Sequence, residues 1–186
     1  MVIRDARPDD VRAIAQVHAQ AFGASHGRVV AALVEALHRR AAEDTVSLVA
    51  VADDDHVIGH VMLTPALLDA PRRLVTISVL SPLAVLPERQ GQGVGRALVE
   101  DGVARLVQCG VPLVVLEGDP AYYRKLGFVA GHDVGLRRPS LRIPPQAFQC
   151  QKLPAWQDWM TGTVVYAEPF WTLDVVGLRD TSEPDS

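Results

Sequence analysis

Cysteine is scarce in this 186-residue chain: only Cys109 and Cys150 are present. They lie far apart and have no metal-like spacing, so neither a disulfide scaffold nor a zinc site is expected, nor any other metal. Positive charge is also short, with 18 Lys and Arg against 22 Asp and Glu and a net charge of −4. A nucleic-acid surface needs clustered cations to displace counterions, and no such cluster is present. No apolar run is long enough to cross a bilayer. The opening residues Met1-Val2-Ile3-Arg4-Asp5 lack the apolar stretch of a secretory signal. There is no internal repeat and no low-complexity block.

The remaining composition is ordinary for a globular protein: 48% hydrophobic and 22% charged. The length suits one domain. The expectation is a cytoplasmic protein with a single domain over 1–175, of which 131–175 is a C-terminal extension, and a flexible tail over 176–186.

Residue patterns predict a mixed sheet with helices on its faces. Val2-Ile3-Arg4 reads as a short strand. Pro8-Asp9-Asp10 suits a first helical turn, and Val11, Ile14, Val17, His18 and Ala21 continue at helical spacing. A second helix is expected from about 28 to 40. Residues 46–52 and 57–68 read as a hairpin around Asp53-Asp54-Asp55. A third strand, 74–86, contains Pro82. Proline removes a ladder donor, so a bulge or a split from a neighbour is predicted near Ser81-Pro82. A glycine-rich loop, a helix over 97–109 and a buried strand over 111–116 follow. Asp119-Pro120 then opens a short helix, and weaker strands are expected at 147–153 and 163–167. The predicted class is α/β in the broad sense: an α+β mixed sheet, splayed at its middle and flanked by helices.

The chemistry is expected in the loop. Gly91, Gly93 and Gly95 allow sharp turns and close approach to bare amides. The following helix adds unpaired N–H groups and a partial positive charge, so strand, loop and helix together form an anion site. The phosphate-loop pattern fails, because no Gly-Lys-Ser/Thr follows. The dinucleotide fingerprint fails as well, because position 96 is Arg.

Gln90-Gly91-Gln92-Gly93-Val94-Gly95 instead fits Q/R-x-x-G-x-G/A and resembles the acyl-CoA pyrophosphate loop of the GNAT superfamily of N-acetyltransferases. Tyr123-Arg124-Lys125-Leu126-Gly127-Phe128 is similar to that family's Tyr-Gly-Phe signature. Gly118-Asp119-Pro120-Ala121-Tyr122-Tyr123 and Gly162-Thr163-Val164-Val165-Tyr166 resemble a small bacterial group within it. One departure is that many members carry an Asn where this chain has Leu116-Glu117-Gly118-Asp119-Pro120, so that cofactor contact is not carried over.

The resemblance implies acetyl-CoA as co-substrate. Leu83, Ala84 and Val85 would pair with the pantetheine arm. The loop from Gln90 through Gly91, Gln92, Gly93, Val94 and Gly95 to Arg96 would hold the pyrophosphate. The reaction implied is direct attack of a primary amine on the thioester. Four acceptor classes stay open: a small molecule, an amino acid, a peptide N-terminus and a lysine. An amine of pKa ~10.4 costs roughly 4–5 kcal/mol to neutralise at pH 7, so a base is expected. Tyr123 matches the position of the acid for the leaving thiolate. With a tyrosine near ~10 and a thiol near ~8.5, full transfer in water is uphill by about 2 kcal/mol, so the proton must move late. Glu117, Asp119, His60 and Ser81 are the base candidates. Asp119 reads equally as a helix cap, and His60 as a structural histidine.

The Trp156, Trp159 and Trp171 group is expected to cover a sheet edge or line an acceptor pocket. An exposed late strand would allow a homodimer. The alternative function is a non-catalytic acyl-CoA-binding module. A nucleotide-binding α/β protein is disfavoured by the two failed patterns.

Overall fold

Apolar residues fill both faces of the strand Val46–Val51, and its two faces serve two different cores. Leu48 and Ala50 pack on one side, with Leu98 and Leu106. Val49 and Val51 pack on the other, with Ile14 and Leu33. A strand buried on both faces lies inside a sheet with helices on either side. The computed structural model, which describes residues 1–40 and 44–179, has this layered arrangement.

The elements run β1 (Val2–Asp5), α1 (Val11–Phe22), α2 (Ala24–Arg39), β2 (Val46–Val51), β3 (Val57–Asp69), β4 (Leu74–Val85), α3 (Val94–Gln108), β5 (Leu113–Glu117), α4 (Pro120–Tyr123), β6 (Val129–Ala130), β7 (Leu136–Arg137), β8 (Phe148–Lys152), β9 (Gly162–Val165) and α5 (Glu168–Thr172). The main path of the sheet is β1-β2-β3-β4-β5-β8-β6, with β9 joined to β3 and β7. Only β4–β5 and β7–β9 are parallel; the other pairings are antiparallel. The mixed, helix-flanked sheet expected from the sequence is therefore present. α2 begins directly after Gly23, several residues earlier than expected.

The middle of the sheet positions the site. Val61 pairs with Leu83, but Leu63 pairs with Leu80, so Ser81 and Pro82 together face Met62. That is the bulge predicted by the proline, and β4 continues through it. The split falls on the other side. β4 pairs with β5 only at Ser78–Val114 and Val79–Val115. β5 then carries on against β8, with Leu116 opposite Gln149 and Glu117 opposite Phe148. From Leu80 to Val85, the β5-facing edge of β4 thus has no strand partner among the described residues.

Packing bears on two expectations. The expected extension, 131–175, supplies β7 to β9 to the same sheet, and β8 lies directly beside β5. The expected tail begins too early at 176. Val176 is fully buried in the core, and the Gly177 amide bonds back to Glu117. Residues 180–186 of that tail lie outside the described residues.

Candidate active site

The gap between β4 and β5 opens into a cleft of about 410 Å³. Its floor includes Ser81 and Leu83 from β4 and Glu117 from the end of β5. Phe22 and Val30 of the helical N-terminal segment form one wall. The segment from Tyr166 to Gly177 contributes the other.

On the loop side, Gly93 adopts φ 85°, a left-handed conformation that a side chain would strain. The turn it makes starts α3. The first bond of that helix runs from the Ala97 amide to the Gly93 carbonyl (2.9 Å), leaving the Val94, Gly95 and Arg96 amides ahead of it without intrahelical partners. Gly91, Gln92 and Gly93 are exposed. The glutamine side chains stiffen the turn from outside: Gln90 donates to the Val85 carbonyl (3.1 Å) and Gln92 to the Glu88 carbonyl (2.8 Å). The Arg96 guanidinium is paired with Glu100 at 2.7 Å, so this residue offers the loop chiefly its amide. A run of accessible amides at a helix N-terminus, beside an unpaired strand edge, fits a diphosphate followed by an extended amide-bearing arm.

Tyr123 lies where the loop side meets the cleft. Asp119 caps its short helix, accepting from the Ala121 amide at 2.8 Å. The Tyr123 ring packs edge-on to Phe128 and Tyr122 and fills the space a side chain at Gly118 would need. Burial, and secondarily Tyr122, push its hydroxyl well above the usual phenol range. It therefore stays protonated and acts as a hydrogen-bond donor. The Tyr122 hydroxyl sits over Gly95, in the space that a Cβ there would occupy.

The base candidates separate clearly. Glu117 and Ser81 line the cleft. Asp119 lines it too, but its Oδ1 is committed to the cap. His60 does not line it. It is fully buried, with Nδ1 2.8 Å from His18 Nε2 of α1 and Nε2 3.0 Å from Ser47 Oγ. Glu117 is half-buried, and burial raises its carboxyl above the ordinary value despite the Gly177 amide donating to Oε2 at 3.0 Å. A carboxylate held this way is a better proton acceptor than one in water.

The sequence reading missed Tyr166, Phe170 and Gly177. Tyr166 was noted only as part of a late motif, and no local pattern signals that it returns to the end of β5. The three tryptophans do not line the cleft. Trp156 and Trp159 pack on the core edge, with Lys152 over one ring and Arg72 and Arg73 over the other. Cys150 is buried, and burial pushes its thiol up to about 12. Among the described residues no cluster of His, Cys, Asp and Glu is arranged to hold a metal.

A family model described as an acetyltransferase (GNAT) domain matches residues 2–131. The chain is 37% identical over 129 residues to the uncharacterized N-acetyltransferase YhbS of Escherichia coli, covering 68% of this chain and 74% of that protein. It is 34% identical over 166 residues to the uncharacterized N-acetyltransferase YjhQ of the same organism, covering 86% and 88%. Its fold matches the crystal structure of Escherichia coli YhbS in complex with CoA, with TM-score 0.79, 31% identity and 91% of each chain covered. It also matches a GNAT acetyltransferase from Brucella melitensis in complex with acetyl-CoA, with TM-score 0.71, 34% identity and coverage of 91% and 97%.

Proposed function

The chain belongs to the GNAT family of acetyltransferases, and from that premise we propose that it transfers an acetyl group directly from acetyl-CoA to a primary amine, with Tyr123 and Glu117 moving the protons. The observation that carries this reading is the unpaired edge of β4 running from the cleft to the bare amides of the Gly91–Gly95 turn. Acetyl-CoA supplies the reactive thioester. The Gly91 to Arg96 amides hold the diphosphate, and the edge formed by Leu83, Ala84 and Val85 aligns the arm. One freed β4 amide donates to the carbonyl oxygen as charge builds on it.

An ammonium must lose two protons to become an amide nitrogen. Glu117 takes the first, which restores the lone pair, and passes it to solvent. The Tyr123 hydroxyl donates its proton to the departing sulfur as the C–S bond breaks, and the second proton, released from nitrogen after C–N bond formation, restores the Tyr123 hydroxyl. The raised affinity of Tyr123 for its proton makes that donation late. Neither cysteine lines the cleft, so neither is placed to carry the acetyl group.

Tyr123→Phe is expected to lower kcat about 10²-fold while acetyl-CoA affinity, read by isothermal titration, stays within twofold. Absence of acetyl-CoA binding to the unaltered protein would end the reading. Retained binding with no amine acetylated by either protein would favour an acyl-CoA-binding module.

A further inference from the structure

Resting on that reading, we propose that the acceptor is an amine with an apolar body and no anionic group, docked by its ammonium between Glu117 and the Tyr166 hydroxyl. Two independent observations meet at this point. The first is charge. Glu117, Asp119 and Asp174 line the cleft together with His26, and among the described residues neither arginine nor lysine does. Arg142, whose charge reaches Glu117, is held by Asp174 at 3.0 Å, and Arg179 adds a second ion pair to the same carboxylate. A substrate carboxylate or phosphate entering this cleft meets no unpaired arginine or lysine among the described residues and faces Glu117 and Asp119.

The second observation is an orphan. Tyr166 is 4% exposed, lines the cleft and places its hydroxyl near enough to Glu117 to pull that carboxyl's pKa down, yet the pair falls short of hydrogen-bond geometry and the oxygen has no other partner among the described residues. An unpartnered buried hydroxyl costs about 1–3 kcal/mol. A group that can both donate to and accept from its surroundings repays that cost when a charged donor arrives. An ammonium between the two residues gives one N–H to Glu117 and one to the Tyr166 oxygen. Transfer of the first of these protons to Glu117 frees the lone pair that attacks the carbonyl carbon, and one of the two remaining protons leaves after the C–N bond has formed.

The geometry around the pair is built to hold it still. The Gly177 amide fixes Glu117 Oε2, and Gly177 itself, at φ 65°, has the Arg142 backbone where a side chain would project. Beyond the charged end, Phe22, Val30, Leu33 and Phe170 offer apolar contact to the rest of the acceptor. A cleft of about 410 Å³ suits a small molecule.

Phenethylamine and phenylalanine test this, because they differ only in the carboxylate. Titrated into protein saturated with CoA, phenethylamine is expected to bind at least tenfold more tightly, and to be acetylated with the larger kcat/KM. Glu117→Gln and Tyr166→Phe are each expected to weaken phenethylamine binding at least tenfold with CoA affinity unchanged. Tyr166→Phe should leave the melting temperature equal or higher, since it removes an unpaired oxygen; a purely structural tyrosine would instead lower it and leave amine binding alone. A blocked lysine amide shares the anion-free amine, and its use in place of phenethylamine keeps the proposal while assigning the amine to a protein side chain. Equal or better binding of phenylalanine, binding of none of the three amines, or variants with unchanged amine affinity overturns the proposal. Failure of CoA itself to bind would count against the acetyltransferase reading instead.

Discussion

Glu117 and Tyr123 show what a single residue's surroundings add to its identity. Both are raised mainly by burial, yet the same cause has opposite uses: it makes the carboxylate a keener proton acceptor and the phenol a more reluctant acid. The consequence is visible in a pH profile. The groups facing Glu117 are the Gly177 amide, Tyr166 and Arg142, and all three pull its pKa down without cancelling the rise. In the proposed role Glu117 works ionised, so kcat/KM should fall as pH drops through its pKa, beginning above the ordinary 4.5. Between that point and the amine's own pKa a plateau is expected, because the charged amine and the charged carboxylate bind each other. Glu117→Gln should lower the plateau and remove the acid limb; an unchanged limb in that variant would assign it to another group. Tyr123 and the loop glycines were legible in the sequence because their motifs are local. Glu117 was one of four candidates, and what favours it, its place in the cleft, its burial and its bond to Gly177, 60 residues away, is tertiary and leaves no local signal.

At the scale of elements, the contact between α1 and the sheet carries an unusual polar core. His18 of α1 meets His60 of β3, which meets Ser47 of β2, which meets His38 of α2 at 3.2 Å. His38 Nδ1 lies 3.0 Å from the Val34 carbonyl and so donates to it. That donation leaves His38 Nε2 as an acceptor and orders the remaining bonds in one direction, from His18 through His60 and Ser47. All the bonds are then made with neutral rings. Burial pushes His18 down to about 4 and His60 well below its usual range.

The unfolded chain, with histidines near 6.5, takes up these protons first as pH falls. Stability contributed by the neutral pair is whole above about 6.5 and declines towards 4, by up to about 1.4 kcal/mol per pH unit for each histidine. Urea midpoints at pH 7.5 and 5.0 should therefore differ clearly, and the difference should shrink in His18→Leu. Equal midpoints in the unaltered protein would show that the pair is not held neutral. The sequence showed His18 on a helical stripe and His60 in a strand, but nothing in either pattern pairs a helix face with a particular strand register.

Across the whole molecule, the legible part was the path from β2 to α4, where strand alternation, proline, glycine and cap signals agree with one another. Less was legible after Gly131. Its strands are short, and they are fixed by pairing with β5 and β3, elements far earlier in the chain. The bulge at Ser81-Pro82 was foreseen from the proline, whereas the separation of β4 from β5 depends on where β8 docks.

The cleft is walled by residues from opposite ends of the chain. The match to the acetyltransferase domain stops at residue 131, while Tyr166, Phe170 and Gly177 lie beyond it. On the proposed reading, the donor machinery and the half of the acceptor wall contributed by the segment after β9 are thus encoded in separate stretches. A hybrid carrying residues 1–131 of this chain and the corresponding later part of YjhQ should keep its affinity for acetyl-CoA and change which amine it modifies. Unaltered amine preference in a folded hybrid would place that choice in the N-terminal helices. If the hybrid behaves so, substrate range in such a protein can drift by exchange of its C-terminal segment, with the engine that activates the acetyl group left untouched.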